Sequence, residues 1–122
     1  MGGRSRRKGA DYEREVVRAL MDQGFYAVRR QQGRAGSRDG ADISATDTWS
    51  GLSLAIECKR SRAPLFKAGL LRGLDQALEG SIVDGGYPVV VTRWDRQTTN
   101  YAVLTLPSLL EILRRRPGRA EE

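Results

Sequence analysis

The stretch "ADISATDTWSGLSLAIECKR", residues 41–60, decides the fold of this chain. In its second half Leu54, Ile56 and Cys58 alternate with Ser53, Ala55, Glu57 and Lys59. A period of two sends these sets to opposite faces, so residues 52–60 read as a strand. Residues 41–47 alternate in the same way, and "TWSG" (48–51) supplies a turn between them. The two strands then pair as an antiparallel hairpin. Asp42 comes opposite the region of Glu57 to Lys59, and the three side chains share one patch of sheet. Cys58 faces away from the acids, toward core packing. Trp49, in the turn, reads as a surface aromatic.

Working outward, residues 9–23 place Tyr12, Val16, Ala19, Leu20 and Gln23 on one helical stripe, with Asp11 at its start and Gly24 as its stop. "FYAVRR" (25–30) is a short strand, and "QQGRAGSRDG" (31–40) a polar loop with three glycines. Leucines at 65, 70, 71, 74 and 78 predict a second helix over residues 64–80, with Pro64 in its first turn. Residues 87–93 and 100–106 read as two more strands, and Pro107 opens a last helix, 107–116. Residues 1–8 have little to bury and are expected as a flexible basic arm, residues 117–122 as a flexible tail. What lies between, 9–116, is a single α/β domain with one central mixed sheet flanked by helices, in the order α-β-β-β-α-β-β-α.

Composition narrows the chemistry. The chain of 122 residues contains no histidine, which excludes histidine bases, Ser-His-Asp triads and Cys/His zinc sites. Any metal must be held mainly by oxygen, which favours magnesium or manganese. One cysteine excludes an intramolecular disulfide and fits a reducing cytoplasm. No stretch approaches the roughly 18 apolar residues of a membrane span. The net charge of +6, supplied mostly by arginine, suits a polyanionic partner such as nucleic acid.

Within that frame Asp42, Glu57 and Lys59 have a chemical reading. Two carboxylates can hold one or two magnesium ions against a phosphodiester, and a lysine beside them stabilises charge on the phosphate and orients water. The competing reading is the wet face of a sheet with a trivial Glu57–Lys59 pair. Against it, the strand is apolar enough to be central, where a charged face needs a reason. On the first helix Glu13 lies nearer the apolar stripe than Glu15, so Glu13 is the better third acid.

These residues resemble a known family. "KGADYEREVVRALMDQGFYAVRR", a Gly-Ser loop, "GADI" and "LAIECKR" look like the archaeal-type Holliday junction resolvases (Hjc), within the PD-(D/E)xK superfamily. The resemblance covers roughly residues 8–79. It implies a restriction-endonuclease-like fold and a dimeric, magnesium-dependent nuclease that cuts four-way DNA junctions, with one or two ions per subunit and manganese as a substitute. It also implies that Glu13, Asp42 and Glu57 are metal ligands, Lys59 the catalytic lysine and Ser37 the functional loop serine. Either Arg30 or Arg34 corresponds to a phosphate-binding arginine, and Gln76 to a glutamine near the site in many relatives. Ala41 stands where the superfamily's name implies proline. Further DNA contacts are expected from Arg4, Arg6, Arg7 and Lys8 of the arm, Arg38 of the loop and Arg60. The apolar segments around residues 87–94 and 100–110 are the expected source of the homodimer.

The expectation is therefore a homodimeric junction endonuclease of the prokaryotic cytoplasm, or of a virus-infected prokaryotic cell, with no membrane role. Two alternatives remain at this stage: a nuclease of the same chemistry with another DNA specificity, and a non-catalytic basic DNA-binding protein.

Overall fold

The structure, a computed structural model, describes residues 2–30 and 40–115, with the side chains of residues 2–7 outside the description. Its elements run α1 (Gly2–Asp22), β1 (Phe25–Arg29), β2 (Ile43–Asp47), β3 (Ser53–Ser61), α2 (Lys67–Asp84), β4 (Tyr87–Trp94), β5 (Tyr101–Val103) and α3 (Leu106–Arg114). This is the element order read from the sequence. The strands form one sheet in the order β1-β2-β3-β4-β5. Only β3 and β4 are parallel, and α2 supplies the crossover that a parallel pair requires.

The alternation around residues 41–60 sorts the two faces of the sheet. Ile43 and Ala45 of β2, Ile56 of β3 and Val89 of β4 form a core with Tyr12 and Val16 of α1, and Cys58, Leu54 and Val91 pack at its margin. Fully burying a residue such as Ile43 or Ile56 contributes about 1.5–3 kcal/mol, so this face anchors α1. On the other face Ala55 and Val90 are buried under α2. The residues that α2 buries are Gly73, Ala77 and Gly80, which have no bulk to hold the helix away from the strands.

Several boundaries differ from the sequence reading. The first helix begins at Gly2 rather than residue 9, so residues 2–8, expected as a flexible arm, are helical. Arginine and lysine are good helix formers, and "RSRRK" contains nothing that breaks the helix. The second helix starts three residues after Pro64 and runs past Gly80 to Asp84. Gly80 is a packing residue, and the stop is the pair Gly85 and Gly86, with φ of 78° and 92°. Strand β5 ends early because Thr105 turns the chain into α3, its side chain accepting from the Ser108 N–H. The expected tail, 117–122, lies outside the described residues.

Candidate active site

Strand pairing assembles the site. The register sets Ile43 against Ile56 and Ser44 against Ala55. Continued by one residue, it brings Asp42, just before β2, opposite Glu57. The Cys58 N–H donates to Asp42 Oδ2 at 2.9 Å, which fixes one carboxylate oxygen. Arg30 stands beside the other, with Nη2 3.8 Å from Oδ1. Lys59, two residues after Glu57 and on the same face, holds its Nζ 3.5 Å from Glu57 Oε2.

Burial and neighbouring charge act strongly here. Desolvation first, and the Asp42 carboxylate second, push Glu57 up to about 7 against the opposing pull of Lys59. Glu13 is buried on the α1 side, where Arg29 Nε donates to its Oε1 at 3.1 Å. Burial, then the charge of Asp42, raises its carboxyl above the ordinary range, while Arg29 and Arg30 oppose the shift. Asp42 is thus the electrostatic neighbour of two acids, one toward each helix. Among the described residues no three or more His, Cys, Asp or Glu side chains form a group that could hold a metal ion. Asp42 and Glu57 form a pair, and Glu13, held by Arg29, is near enough for the Asp42 charge to act on it.

Glu57 opens into a cleft of about 630 Å³ lined also by Arg30, Gly40, Gln76, Glu79, Ile82 and Val83. Gln76 Oε1 is buried there and has no hydrogen-bond partner among the described residues. The arrangement therefore offers carboxylate and amide oxygens, with Lys59 and Arg30 as cations beside them.

A family model described as archaeal Holliday junction resolvase (hjc) matches residues 4–111. The chain belongs to that family. Membership makes it a Holliday junction resolvase and hence a nuclease. Among solved structures it is similar to Hjc of Archaeoglobus fulgidus, a Holliday junction resolvase from an archaeal hyperthermophile. The two share 20% identity over 84% of this chain and 93% of that one, with a TM-score of 0.55, a likeness of fold. No curated protein matches the chain.

The Hjc fold places the remaining sequence candidates unevenly. Asp42, Glu57, Lys59, Arg30 and Gln76 come together. Ser37, Arg34 and Arg38 lie outside the described residues, as do the side chains of Arg4, Arg6 and Arg7. Lys8 and Arg60 converge on Asp95, at 3.3 Å and 2.8 Å. Arg60 alternates with Lys59 and so falls on the α1 face, away from the cleft. The choice between the two glutamates of α1 is also visible, since exposed Glu15 forms a two-point ion pair with Arg93 while Glu13 is buried. Burial drives the Cys58 thiol up, which fits a packing role.

Arg29 was missed by sequence reasoning. The signal was present, because alternation in "FYAVRR" sets Arg29 with Phe25 and Ala27 on the α1 face, toward Glu13. Asp84 was missed as well. Its carboxylate accepts a hydrogen bond from the Ala41 N–H at 2.7 Å, across 43 residues of sequence.

Proposed function

We propose that this resolvase hydrolyses junction phosphodiesters in the cleft at Asp42, Glu57 and Lys59, using magnesium, or manganese in its place, held by the two carboxylates. The observation that carries this reading is the face-to-face acid pair, one member pushed up to about 7, with an ammonium 3.5 Å away. Two carboxylates and an unpartnered amide oxygen fit a hard cation that keeps positions open for water and phosphate. One or two ions per subunit fit the donor set. When bound, such an ion neutralises charge on the scissile phosphate and acidifies water.

The chain's own groups do the rest. Lys59 donates to a non-bridging phosphate oxygen and offsets charge that grows in the transition state. Arg30, its guanidinium already in the cleft, supplies a second donor to the same phosphate. Glu57 exchanges its proton near neutral pH, so the acid pair becomes fully anionic when a cation arrives. Glu13 and Arg29 support this from the α1 side by fixing the field around Asp42. Recognition of four-way DNA through phosphates draws on the net charge of +6.

A symmetric homodimer fits this chemistry, because resolving a junction takes two cuts in opposed strands. Support comes from α3, which buries no residue and leaves Leu106, Leu109, Leu110 and Leu113 exposed at helical spacing. A nearly all-apolar groove between α1 and β5, lined by Val16, Leu20, Val91, Tyr101 and Ala102 among others, adjoins it along the chain. Among the described residues no helix is long and apolar enough to cross a membrane. We place the protein's work in the cytoplasm, with the DNA.

The test is incubation of a labelled four-way junction with the wild type and with Asp42→Asn, in magnesium and in chelator. Cleavage by the wild type in magnesium alone is expected, with a loss of at least about 100-fold in Asp42→Asn and junction binding retained. Full nicking by Asp42→Asn would overturn the mechanism.

A further inference from the structure

The short segment 40–42 carries Asp42 into the site, and its backbone is anchored by three hydrogen bonds. Arg30 Nη1 donates to the Gly40 carbonyl at 3.1 Å. The Arg30 N–H donates to the Asp42 carbonyl at 2.9 Å. Between them the Ala41 N–H donates to Asp84 Oδ2 at 2.7 Å. The first two anchors come from the end of β1, next door in the sheet. The third comes from the last residue of α2, the helix that lies over the opposite edge of the same segment.

Two glycines make that third anchor possible. Gly40 has φ of 94°, a conformation that side chains other than glycine rarely adopt, and a Cβ there would stand 2.9 Å from Asp84 Oδ2. Gly80, one turn before Asp84, lies so close to Ala41 that a Cβ would stand 2.8 Å from its Cα and N. Helix α2 is therefore pressed onto Ala41, and Asp84 ties off the contact by accepting the Ala41 N–H on a carboxylate, a stronger hydrogen bond than one to a neutral acceptor. The consequence for Asp42 is geometric. With Ala41 held, the carboxylate has little freedom to leave the Cys58 N–H and Glu57.

We infer that Asp84 is a positioning residue: through Ala41 it sets where Asp42 stands, and so tunes cation binding and cleavage without touching either. The inference rests on the reading of Asp42 and Glu57 as the cation-binding pair. It assigns the α2 C-terminus, which has no place in the D–E–K constellation, a part in the geometry of the site. Partners of this kind, one step removed from a ligand, commonly change affinity or activity by 10- to 100-fold when lost.

The experiment compares Asp84→Ala, Asp84→Asn and Asp42→Asn. Manganese affinity is read by calorimetry, cleavage by single-turnover kinetics on a four-way junction, and folding by thermal melting and junction binding in chelator. Asp84 is exposed, so its variants are expected to remain folded. Asp84→Ala should weaken manganese binding and slow cleavage, each by about tenfold, while junction binding in chelator stays within about twofold. Asp84→Asn keeps an oxygen for the Ala41 N–H and should recover both to within about threefold. Wild-type affinity and rate in Asp84→Ala would overturn the inference, and so would an Asp84→Asn variant as impaired as Asp84→Ala. Cleavage by Asp42→Asn at the wild-type rate would instead remove the reading on which it rests.

Discussion

At the scale of single residues, Glu57 links the chemistry to pH. Its folded-state value, pushed up to about 7, lies above the ordinary 4.5. Between those two values the folded protein binds a proton that the unfolded chain does not. The stabilisation is fully present below 4.5 and is lost as pH rises through about 7, where the ionised pair repels. A cation that binds the pair must displace that proton, so its effect should run the opposite way. We expect the melting-temperature gain from saturating magnesium to be larger at pH 8 than at pH 6. In Glu57→Gln the pH dependence of the gain should flatten. Melting curves across that range, with and without magnesium, provide the check, and an equal gain at both pH values in the wild type would count against the pair as the cation site.

The same residues show how much of the site was legible in advance. Alternation in residues 53–59 placed Glu57 and Lys59 together and sent Cys58 to the core, because a strand's period is two whatever surrounds it. Asp42 followed from the hairpin, whose short turn fixes register. Glu13 was readable as the inward acid of α1, but its hold by Arg29 spans two elements joined by a turn. Asp84 was out of reach: it acts on a backbone N–H, which every residue carries and no pattern marks.

At the scale of elements, α2 separates propensity from packing. Its glycines at 73 and 80 look alike in sequence, as residues that weaken a helix by about 1 kcal/mol relative to alanine. Their surroundings differ. A Cβ at Gly73 would meet the Val90 side chain at 3.3 Å, whereas at Gly80 it would meet the Ala41 backbone at 2.8 Å. A side chain can give by a few tenths of an ångström, but a backbone segment tied at three points cannot without moving Asp42. Gly73→Ala should therefore fall near neutral, as gained helix propensity offsets a tight contact. Gly80→Ala should cost roughly 1–3 kcal/mol, the usual range for overpacking, and lower the cleavage rate as well. Urea unfolding of both variants distinguishes the two, and equal costs would show that the close approach carries no special constraint. This packing also explains the misread end of the helix. Gly80, the last residue of the span read from the leucines, is the residue that lets α2 approach the sheet.

At the scale of the whole molecule, one chain offers one Asp42–Glu57 pair, while a four-way junction has two strands to cut. The faces available for pairing are apolar and exposed. Leu109 and Leu110 of α3 are 38% and 46% exposed, on a helix that buries none of its residues. A stable interface between copies buries on the order of 1,000 Å² or more, with an apolar centre that tolerates no unpaired charge. A carboxylate placed at the middle of α3 tests that requirement without touching the cleft. The wild type is expected to elute and scatter light as a dimer, and Leu110→Glu as a monomer at the same concentrations. On a supercoiled plasmid with an extruded cruciform, the wild type should give linear product from paired cuts within the lifetime of one complex. The variant should accumulate nicked circles instead, its cuts uncoupled, because each monomer can cleave only the strand it holds. A monomeric variant that still makes linear product at the wild-type rate would separate junction resolution from dimerisation through α3. A variant that stays dimeric would move the interface to another face of the molecule.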